Sequence, residues 1–522
     1  MLGKYSTRRC KRGKVVGMEF NSHKVLTNTA WNLVSYVWPI LFAIVITPIV
    51  VHSLGIRTYG IYVFLSTVLS MLGLLDFGIS TAVGKYLAEY YGRKDFEKIK
   101  KLLGTANTIF WIVGIVGLII FILGAVSPLS KDLFNNYPNY FIGVLAAGIL
   151  FSVNSITSTY SITFTALQRF DVGSKISIIL LTVQQLSILI LVSLGYSINS
   201  IFITQMIIAI FSFLAQRKIA HKIFPFMSDR ISWDRVEAIK YYKFGLITFI
   251  NSISTSSLTY LDRLILPVFL GPSNLTYYSI PGNITTRVPG LSNSVAGILF
   301  PMASSLQGLG DNEKIKILYV RSFRLITVMA AAITVTVLAY AHQILQFWIS
   351  PDFADKATTV LIILAFTNFV LALGGPLSNF LLGLGKLKFL TTMSITMAVT
   401  NTILLVILLP ISGINGAAWA YLLSLAPIAY MFYFTERHYL SLSERKMYYR
   451  KIILGNMLVG VMVYAIAKLL LIHLITNLVT VLIISGVTGL LYLVIYWVFR
   501  LFEKEDVESV KLFTGRILGK IK

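Results

Sequence analysis

Long apolar runs without a charged side chain are the feature that most limits how this chain can fold. The segments Ile176–Gln216 and Phe389–Thr435 contain no Asp, Glu, Lys or Arg. About 20 helical residues cross the roughly 30 Å of bilayer hydrocarbon. Each segment is therefore long enough for two crossings joined by a turn, at Gly195–Asn199 and at Pro410–Gly413. Apolar residues make up 56% of the chain and charged residues 13%, which suits lipid as the solvent.

The pattern predicts an all-α polytopic membrane protein with about fourteen transmembrane helices. The predicted spans are Trp31–Val51, Tyr59–Ala82, Thr105–Pro128, Tyr140–Gln168, Ile176–Leu194, Ile201–Gln216, Phe244–Leu270, Tyr277–Leu306, Leu325–Gln346, Ala357–Gly385, Phe389–Pro410, Ala417–Thr435, Ile452–Leu471 and Val479–Phe499.

The basic residues are distributed very unevenly between the two sets of connections. With both termini inside, 38 of the 45 Lys and Arg fall in connections that face the cytoplasm, and four fall in the opposite set. The remaining three, Lys85, Arg263 and Arg287, lie within spans. Because basic residues near span ends resist translocation, this bias predicts a multi-pass cell-membrane protein with both termini cytoplasmic. An anionic inner leaflet accounts for the net charge of +24, so no nucleic-acid partner is expected.

A short internal repeat suggests two related halves. Leu54-Gly55 precedes Tyr62 at the same spacing as Leu270-Gly271 precedes Tyr278. Both copies lie at the outward turn between the first and second spans of a six-span unit, which predicts a parallel repeat around a central cavity. The predicted divisions are a basic tail (1–28), a first lobe (29–217), a cytoplasmic linker (218–243), a second lobe (244–435), a cytoplasmic loop (436–451), two extra spans (452–499) and an amphipathic cytoplasmic tail (500–522).

The inter-lobe connection, 217–243, is the longest polar one. Its apolar residues, among them Ile231, Trp233 and Val236, alternate with charges. This pattern predicts one or two short surface helices that lie on the inner leaflet.

Arg287 is the leading candidate for a substrate-binding residue. It lies ten residues after Tyr277, which at about 1.5 Å per residue places it near mid-depth. Pro-Gly pairs precede and follow it, and such breaks free backbone groups beside transporter sites. An ionised group at this depth requires a wet cavity or a partner. Arg287 is therefore predicted to line a substrate cavity, and the alternative is a buried ion pair with Asp262 or Asp76.

Asp262 shares one helical stripe with Asn251 and Thr255, at offsets of 11 and 7 residues. Such a stripe suits a coupling cation or proton, and it equally suits a polar seam between helices. Arg263 points elsewhere, because adjacent residues are about 100° apart. It is a second cavity candidate, with interaction with headgroups as the alternative.

Three further residues are weaker candidates. Lys85 and Arg57 are candidates for the substrate cavity, and Asp76 is a candidate for coupling to an ion. Asp76 in span two suits either proton coupling or a structural pair. Lys85 lies further along the same span, where snorkelling to the surface explains it. Arg57 belongs to an outward turn near the predicted cavity mouth.

Motifs for chemistry are missing from the sequence. There is no phosphate-binding loop, no zinc-ligand spacing among the six His and no nucleophile elbow, and the single cysteine excludes an intrachain disulfide. The chain is therefore not expected to be an enzyme. No metal or organic cofactor is expected, apart from Na⁺ or H⁺ as a coupling ion.

Several segments resemble one superfamily of exporters. They are Thr29-Ala30-Trp31-Asn32, Leu54-Gly55 to Tyr62, Asp76-Phe77-Gly78, Tyr86-Leu87-Ala88-Glu89, Tyr260 to Leu266, Phe269-Leu270-Gly271 and Tyr277-Tyr278-Ser279. Together they are similar to the multidrug/oligosaccharidyl-lipid/polysaccharide (MOP) exporters, Wzx-like polysaccharide flippases in particular. The first span, however, contains none of the cavity arginines that some relatives carry.

The resemblance implies two six-helix lobes that alternate between inward-open and outward-open forms. The implied substrate is a polyprenyl-pyrophosphate-linked oligosaccharide, and the implied partners are membrane lipids and other polysaccharide-assembly proteins, with the chain itself a monomer. The two extra C-terminal spans look like those that form a lipid-tail groove in lipid II flippases. The alternatives are a drug or organic-cation antiporter of the same superfamily and an integral membrane glycan polymerase or ligase.

Overall fold

The computed structural model describes residues 22–128, 133–134, 139–296, 299–439 and 441–502. These residues form nineteen α-helices joined by short turns, and no strand occurs among them. The helices are α1 Ser22–Leu54, α2 Ile56–Leu72, α3 Ile79–Gly92, α4 Phe96–Val126, α5 Tyr140–Ala166, α6 Phe170–Ser193, α7 Ile198–Ile223, α8 Arg235–Leu270, α9 Pro272–Thr285, α10 Arg287–Ala296, α11 Leu299–Leu309, α12 Asn312–Ala339, α13 Ala341–Trp348, α14 Pro351–Gly383, α15 Leu387–Ser424, α16 Ala426–Tyr439, α17 Leu442–Tyr448, α18 Gly455–Ile466 and α19 Leu478–Val498.

The predicted all-α polytopic fold is confirmed. Ten helical stretches in the described part of the chain are long and apolar enough to cross a membrane, and Trp38–Leu54 is a shorter apolar helix. One stretch, Leu387–Tyr439, is 53 residues long, and Gly413 within it has φ 56° and ψ −134°, which breaks the helix. The predicted total of fourteen spans is compatible with this arrangement.

Three predicted spans are broken rather than continuous. In span nine, Tyr340 separates α12 from α13. In span two, α2 ends in a 3₁₀ turn over Gly73–Asp76, and α3 begins after Phe77 (φ 49°) and Gly78 (φ 74°). Two consecutive left-handed residues cannot continue a right-handed helix, so the chain bends there. Span eight consists of α9, α10 and α11, with the first break at Thr286. The Pro-Gly pairs at 281–282 and 289–290, on either side of Thr286, predicted an interruption in span eight.

Small residues let the helices of the first half approach closely. α4, α5 and α7 pack along their lengths, and Ser152 Oγ donates to the carbonyl oxygen of Gly114 at 2.7 Å. In the second half α14 is central, and it contacts α9 to α13 and α15. Close approach at Gly and Ser is how membrane helices gain packing where lipid leaves no hydrophobic drive between them.

The prediction of surface helices in the inter-lobe connection is wrong. α7 ends at Ile223, and residues 224–234 run without an α-helix to Arg235. The segment is held on α4 by hydrogen bonds, since Asn107 Nδ2 donates to the carbonyls of Ser228 and Arg230 at 3.0 and 3.3 Å. Asp229 anchors it further by accepting from Tyr160, Arg217 and His221 at 2.7, 2.6 and 2.9 Å. These bonds satisfy the polar groups that a helix would have satisfied internally.

The two C-terminal spans, α18 and α19, pack on α12 and on each other. The hydroxyls of Tyr340, which follows α12, and of Thr488 in α19 are 2.9 Å apart, and Tyr492 in α19 donates to Asn456 Oδ1 in α18 at 2.8 Å. The basic tail up to residue 21 and most of the predicted amphipathic tail, from residue 503, lie outside the described residues.

Candidate functional site

Arg287 lies in the wall of a groove at the first break of span eight. It is the first residue of α10, and it lines the groove together with Asn283 and Ile284. The groove has a volume of about 620 Å³, and its other walls come from α1, α12, α13 and α19. Most of the lining is apolar. Thr47, Thr336 and Ser485 are its other polar residues.

Arg263 approaches the same place from α8. Its Nη2 lies 3.5 Å from Asn283 Oδ1. A Cβ added at Gly282 would lie 3.1 Å from that Nη2, so a glycine gives the guanidinium room beside the backbone of α9. Arg263 thus contacts Asn283, which lines the groove together with Arg287. Arg263 itself is not one of the described residues that line the groove. The sequence did not single out Asn283, although its offset of four from Arg287 was a usable signal.

Asp262 points away from this groove. It is 3% exposed and accepts a hydrogen bond from the buried hydroxyl of Tyr278 in α9. Thr255 of the predicted stripe is exposed, and the side chain of Asn251 lies outside the described residues. Asp262 and Thr255 therefore differ in exposure, and the stripe as a coupling-ion site stays a prediction. The structure supplies Tyr278 as the partner of Asp262, which the sequence did not identify.

Two other buried amides lie in the second half, and the sequence did not identify either. Asn368 Nδ2 donates to Thr285 Oγ1 at 2.9 Å and joins α14 to α9. Asn401, in α15, is 1% exposed, and neither its amide nitrogen nor its amide oxygen has a hydrogen-bond partner. A buried polar group without a partner costs about 1–3 kcal/mol. A single amide inside an apolar run was the available signal for both residues.

The remaining candidates lie apart from the groove. Asp76 Oδ1 accepts from the backbone N–H of Gly78 at 2.9 Å and so closes the turn that breaks span two. Lys85 is exposed, with Nζ 4.1 Å from the centre of the Phe244 ring. Arg57 is exposed at the start of α2.

Span two touches the second half at both of its ends. At the end predicted to face outward, Thr276 Oγ1 donates to the carbonyl oxygen of Ile56 at 2.7 Å, and a Cβ added at Gly60 would lie 1.9 Å from the Pro272 carbonyl oxygen. This contact between α2 and α9 is called the outer seam below. It depends on the absence of a side chain at position 60.

The inner seam joins the other end of span two, Phe77 to Gly92, to the start of α8. A Cβ added at Gly245 would lie 2.7 Å from the Phe77 carbonyl oxygen. Further in, the buried carboxylate of Glu237 accepts from the hydroxyls of Tyr90 and Tyr241 at 2.9 and 2.8 Å. Span two is therefore in contact with the second half at both of its ends.

No group of three or more His, Cys, Asp or Glu that could hold a metal occurs in the described ranges.

The sequence profile described as polysaccharide biosynthesis protein matches residues 25–307, and the profile described as MatE matches residues 248–407. The chain belongs to the polysaccharide biosynthesis protein family. Membership of the MOP exporter superfamily is thereby confirmed, as is the prediction that the chain transports and is not an enzyme.

Known relatives agree with this assignment. The chain is 22% identical to the putative O-antigen transporter of Shigella flexneri, over 76% of this chain and 93% of that protein. It is 23% identical to the probable flippase AglR of Haloferax volcanii, over 73% of this chain and 77% of the relative. The inward closed conformation of the lipid II flippase MurJ has the same fold, with a TM-score of 0.67 and 14% identity, over 91% of this chain and 100% of MurJ. The chain is thus a multi-pass membrane protein of the MOP exporter superfamily.

Proposed function

We propose that this protein moves a polyprenyl-pyrophosphate-linked oligosaccharide from the inner to the outer leaflet for the synthesis of a cell-surface polysaccharide. The observation that carries the proposal is an apolar groove lined by Arg287 and Asn283, with the Arg263 guanidinium 3.5 Å from Asn283 Oδ1. The names of the O-antigen transporter, AglR and MurJ support the same substrate class.

The groove suits both ends of such a substrate. A pyrophosphate needs cationic donors, and the forked guanidinium groups of Arg263 and Arg287 pair with phosphate oxygens in two-point contacts. The isoprenoid tail needs only an apolar surface. Gly486 and Gly489 of α19 line the groove opposite α1, and because they have no side chains they leave room there for the isoprenoid tail.

The two seams supply the elements of alternating access. Opening the inner seam would admit the headgroup from the cytoplasmic side, and opening the outer seam would release it on the other side. A ligand shifts such an equilibrium only as far as it binds one form better than the other. The pyrophosphate supplies that difference if the arginines face it in one form only.

Asp262 is the candidate for coupling this cycle to Na⁺ or H⁺. It is an acidic residue buried in the second half, and the Tyr278 hydroxyl that donates to it comes from the same span as Arg287. Its charge state would therefore act on α9. The membrane potential is the other available driving force, at about 2.3 kcal/mol per charge per 100 mV.

The test is complementation of glycan export in cells that lack the native flippase. Arg287→Gln should abolish export, Arg287→Lys should retain part of it, and Arg57→Gln, which removes an exposed charge outside the groove, should leave export unchanged. Removal of one charge-assisted pair of about 1.5–3 kcal/mol corresponds to a loss of roughly ten- to a hundredfold. Export that is unaffected by Arg287→Gln, at equal protein levels, would refute the assignment of this groove.

A drug or organic-cation antiporter is the second candidate, because the MatE match covers residues 248–407 and includes the buried Asp262. A cation substrate would use that acid rather than the arginines. Efflux of a fluorescent cation from vesicles, lost in Asp262→Asn and kept in Arg287→Gln, would favour this candidate over the flippase.

A further inference from the structure

A second groove runs along the outside of the second half, on the opposite face of α12. It has a volume of about 780 Å³, and α12, α14, α16 and α18 form its walls. No residue lines both grooves. Ligand pockets commonly measure about 300–1,000 Å³, so this groove is large enough for a lipid chain.

The groove is more polar at one end than at the other. Leu338, Ile362, Phe366 and Tyr464 line the end predicted to face outward, whereas the acid Glu436, Tyr448 and Asn456 lie at the end predicted to face the cytoplasm. From Thr327 to Leu338 the α12 wall is about 16 Å long at 1.5 Å per residue. An occupant with a polar head at the inner surface and an apolar chain fits this polarity.

The segment at the polar end carries an excess of positive charge. Residues 436–451 contain five Arg and Lys against two Glu. Both acids already have partners, since Glu436 accepts from the Tyr319 hydroxyl at 3.4 Å and Glu444 pairs with Lys316 at 2.9 Å. The basic side chains therefore dominate what an incoming headgroup meets.

Arg445 carries a buried hydrogen-bond donor in this segment. In the part of the chain that the structure describes, its Nε has no acceptor. It lies three residues before Tyr448 on α17, so the two side chains emerge from the same face of the helix, and Tyr448 lines the groove. A phosphate oxygen is the acceptor that a guanidinium pairs with most strongly.

We infer that this groove is a binding site for an anionic phospholipid of the inner leaflet, with the acyl chain between α14 and α18 and the phosphate at Arg445. The site is distinct from the proposed substrate groove and does not depend on the substrate assigned there. Because α12 forms a wall of both grooves, a lipid bound here also supports the helix behind Ile333 and Thr336.

The test is native mass spectrometry of the purified full chain with phosphatidylglycerol and with diacylglycerol of identical acyl chains, which lacks the phosphate. The native chain should bind phosphatidylglycerol at least about tenfold more tightly, since only this lipid can accept the charge-assisted hydrogen bond from Arg445. Arg445→Gln should lose that preference. Lys446→Gln, which removes an exposed charge from the neighbouring position, should keep it.

A second variant tests the apolar part. Ala429 is exposed and lines the groove, so Ala429→Trp should fill it and weaken binding of both lipids without disturbing the core. Equal losses in Arg445→Gln and Lys446→Gln would overturn the site in favour of general surface attraction. Displacement of phosphatidylglycerol by a polyprenyl phosphate would overturn the lipid assigned, and a change of oligomeric state in Ala429→Trp would identify a second copy as the occupant.

Discussion

Replacing Gly60 with Ala should open the outer seam. The added Cβ would lie 1.9 Å from the Pro272 carbonyl oxygen and 2.9 Å from Thr276 Oγ1, whereas contacts under 3.0 Å are essentially never seen. The nearest of these atoms belongs to the backbone, so no side-chain rotation relieves the clash. α2 and α9 must separate by about 1 Å, and overpacking of this kind costs about 1–3 kcal/mol.

The separation also weakens the hydrogen bond from Thr276 to Ile56, which measures 2.7 Å. Membrane hydrogen bonds contribute about 0.6 kcal/mol on average. Together the two effects come to about 2 kcal/mol, which shifts the equilibrium between closed and outward-open forms by roughly thirtyfold.

The assay is labelling of Asn283→Cys by a membrane-impermeant maleimide added from the predicted outer side, with Cys10 changed to Ser. Gly60→Ala should raise the labelling rate at least tenfold, because Asn283 lies in the groove wall on α9, the helix that moves when the outer seam opens. Gly73→Ala is the matched control, since a Cβ there meets nothing within 4 Å and φ is −55°. Labelling unchanged in Gly60→Ala, or raised equally in Gly73→Ala, would refute this reasoning.

Three other substitutions give separate predictions. Gly245→Ala should open the inner seam, because its Cβ would lie 2.7 Å from the Phe77 carbonyl oxygen, and labelling of Asn283→Cys from the cytoplasmic side should rise. Asn401→Leu should raise the midpoint of thermal unfolding by removing an unpaired buried amide worth about 1 kcal/mol, and a lower midpoint would contradict this. Burial raises the pKa of Asp229, but hydrogen bonds from His221, Tyr160 and Arg217 outweigh it and hold that pKa below its ordinary value. This stabilisation is present above the unfolded pKa of about 3.9 and is lost as the pH falls further. Asp229→Asn should therefore lower the midpoint at pH 7 and flatten its fall below about pH 4, and an unchanged acid profile would contradict the role of this anchor.

Sequence reasoning reached the fold because lipid as a solvent leaves few options. Each apolar run had to satisfy its backbone internally, so helices followed directly. It located Arg287 and Arg263 for the same reason, since a charge within a span is rare enough to stand out. It could not supply Asn283 or Tyr278, because uncharged polar residues are common in spans and only their partners distinguish them.

The connection between the lobes shows where a local sequence pattern fails to predict the structure. Its alternation of apolar and charged residues matched an amphipathic helix, but Asp229 and the carbonyls of Ser228 and Arg230 found partners on α4, α5 and α7 instead. Contacts distant in sequence overrode a local pattern. Trp233 is 60% exposed as a result, so an apolar surface remains at the level of the inner leaflet without a helix to carry it.

The two seams have the features that the proposed cycle would need in order to change form at modest cost. Each has a close backbone approach at a glycine, Gly60 or Gly245, whose contact ends when the helices part by a small distance. Opening the outer seam would break a hydroxyl-to-carbonyl bond at Ile56, and opening the inner seam would expose Glu237, whose carboxylate water could then solvate. Neither step would strand a charge in hydrocarbon. Arg287 lines the groove and Arg263 contacts Asn283 in its wall, so neither arginine belongs to the surfaces that must come apart.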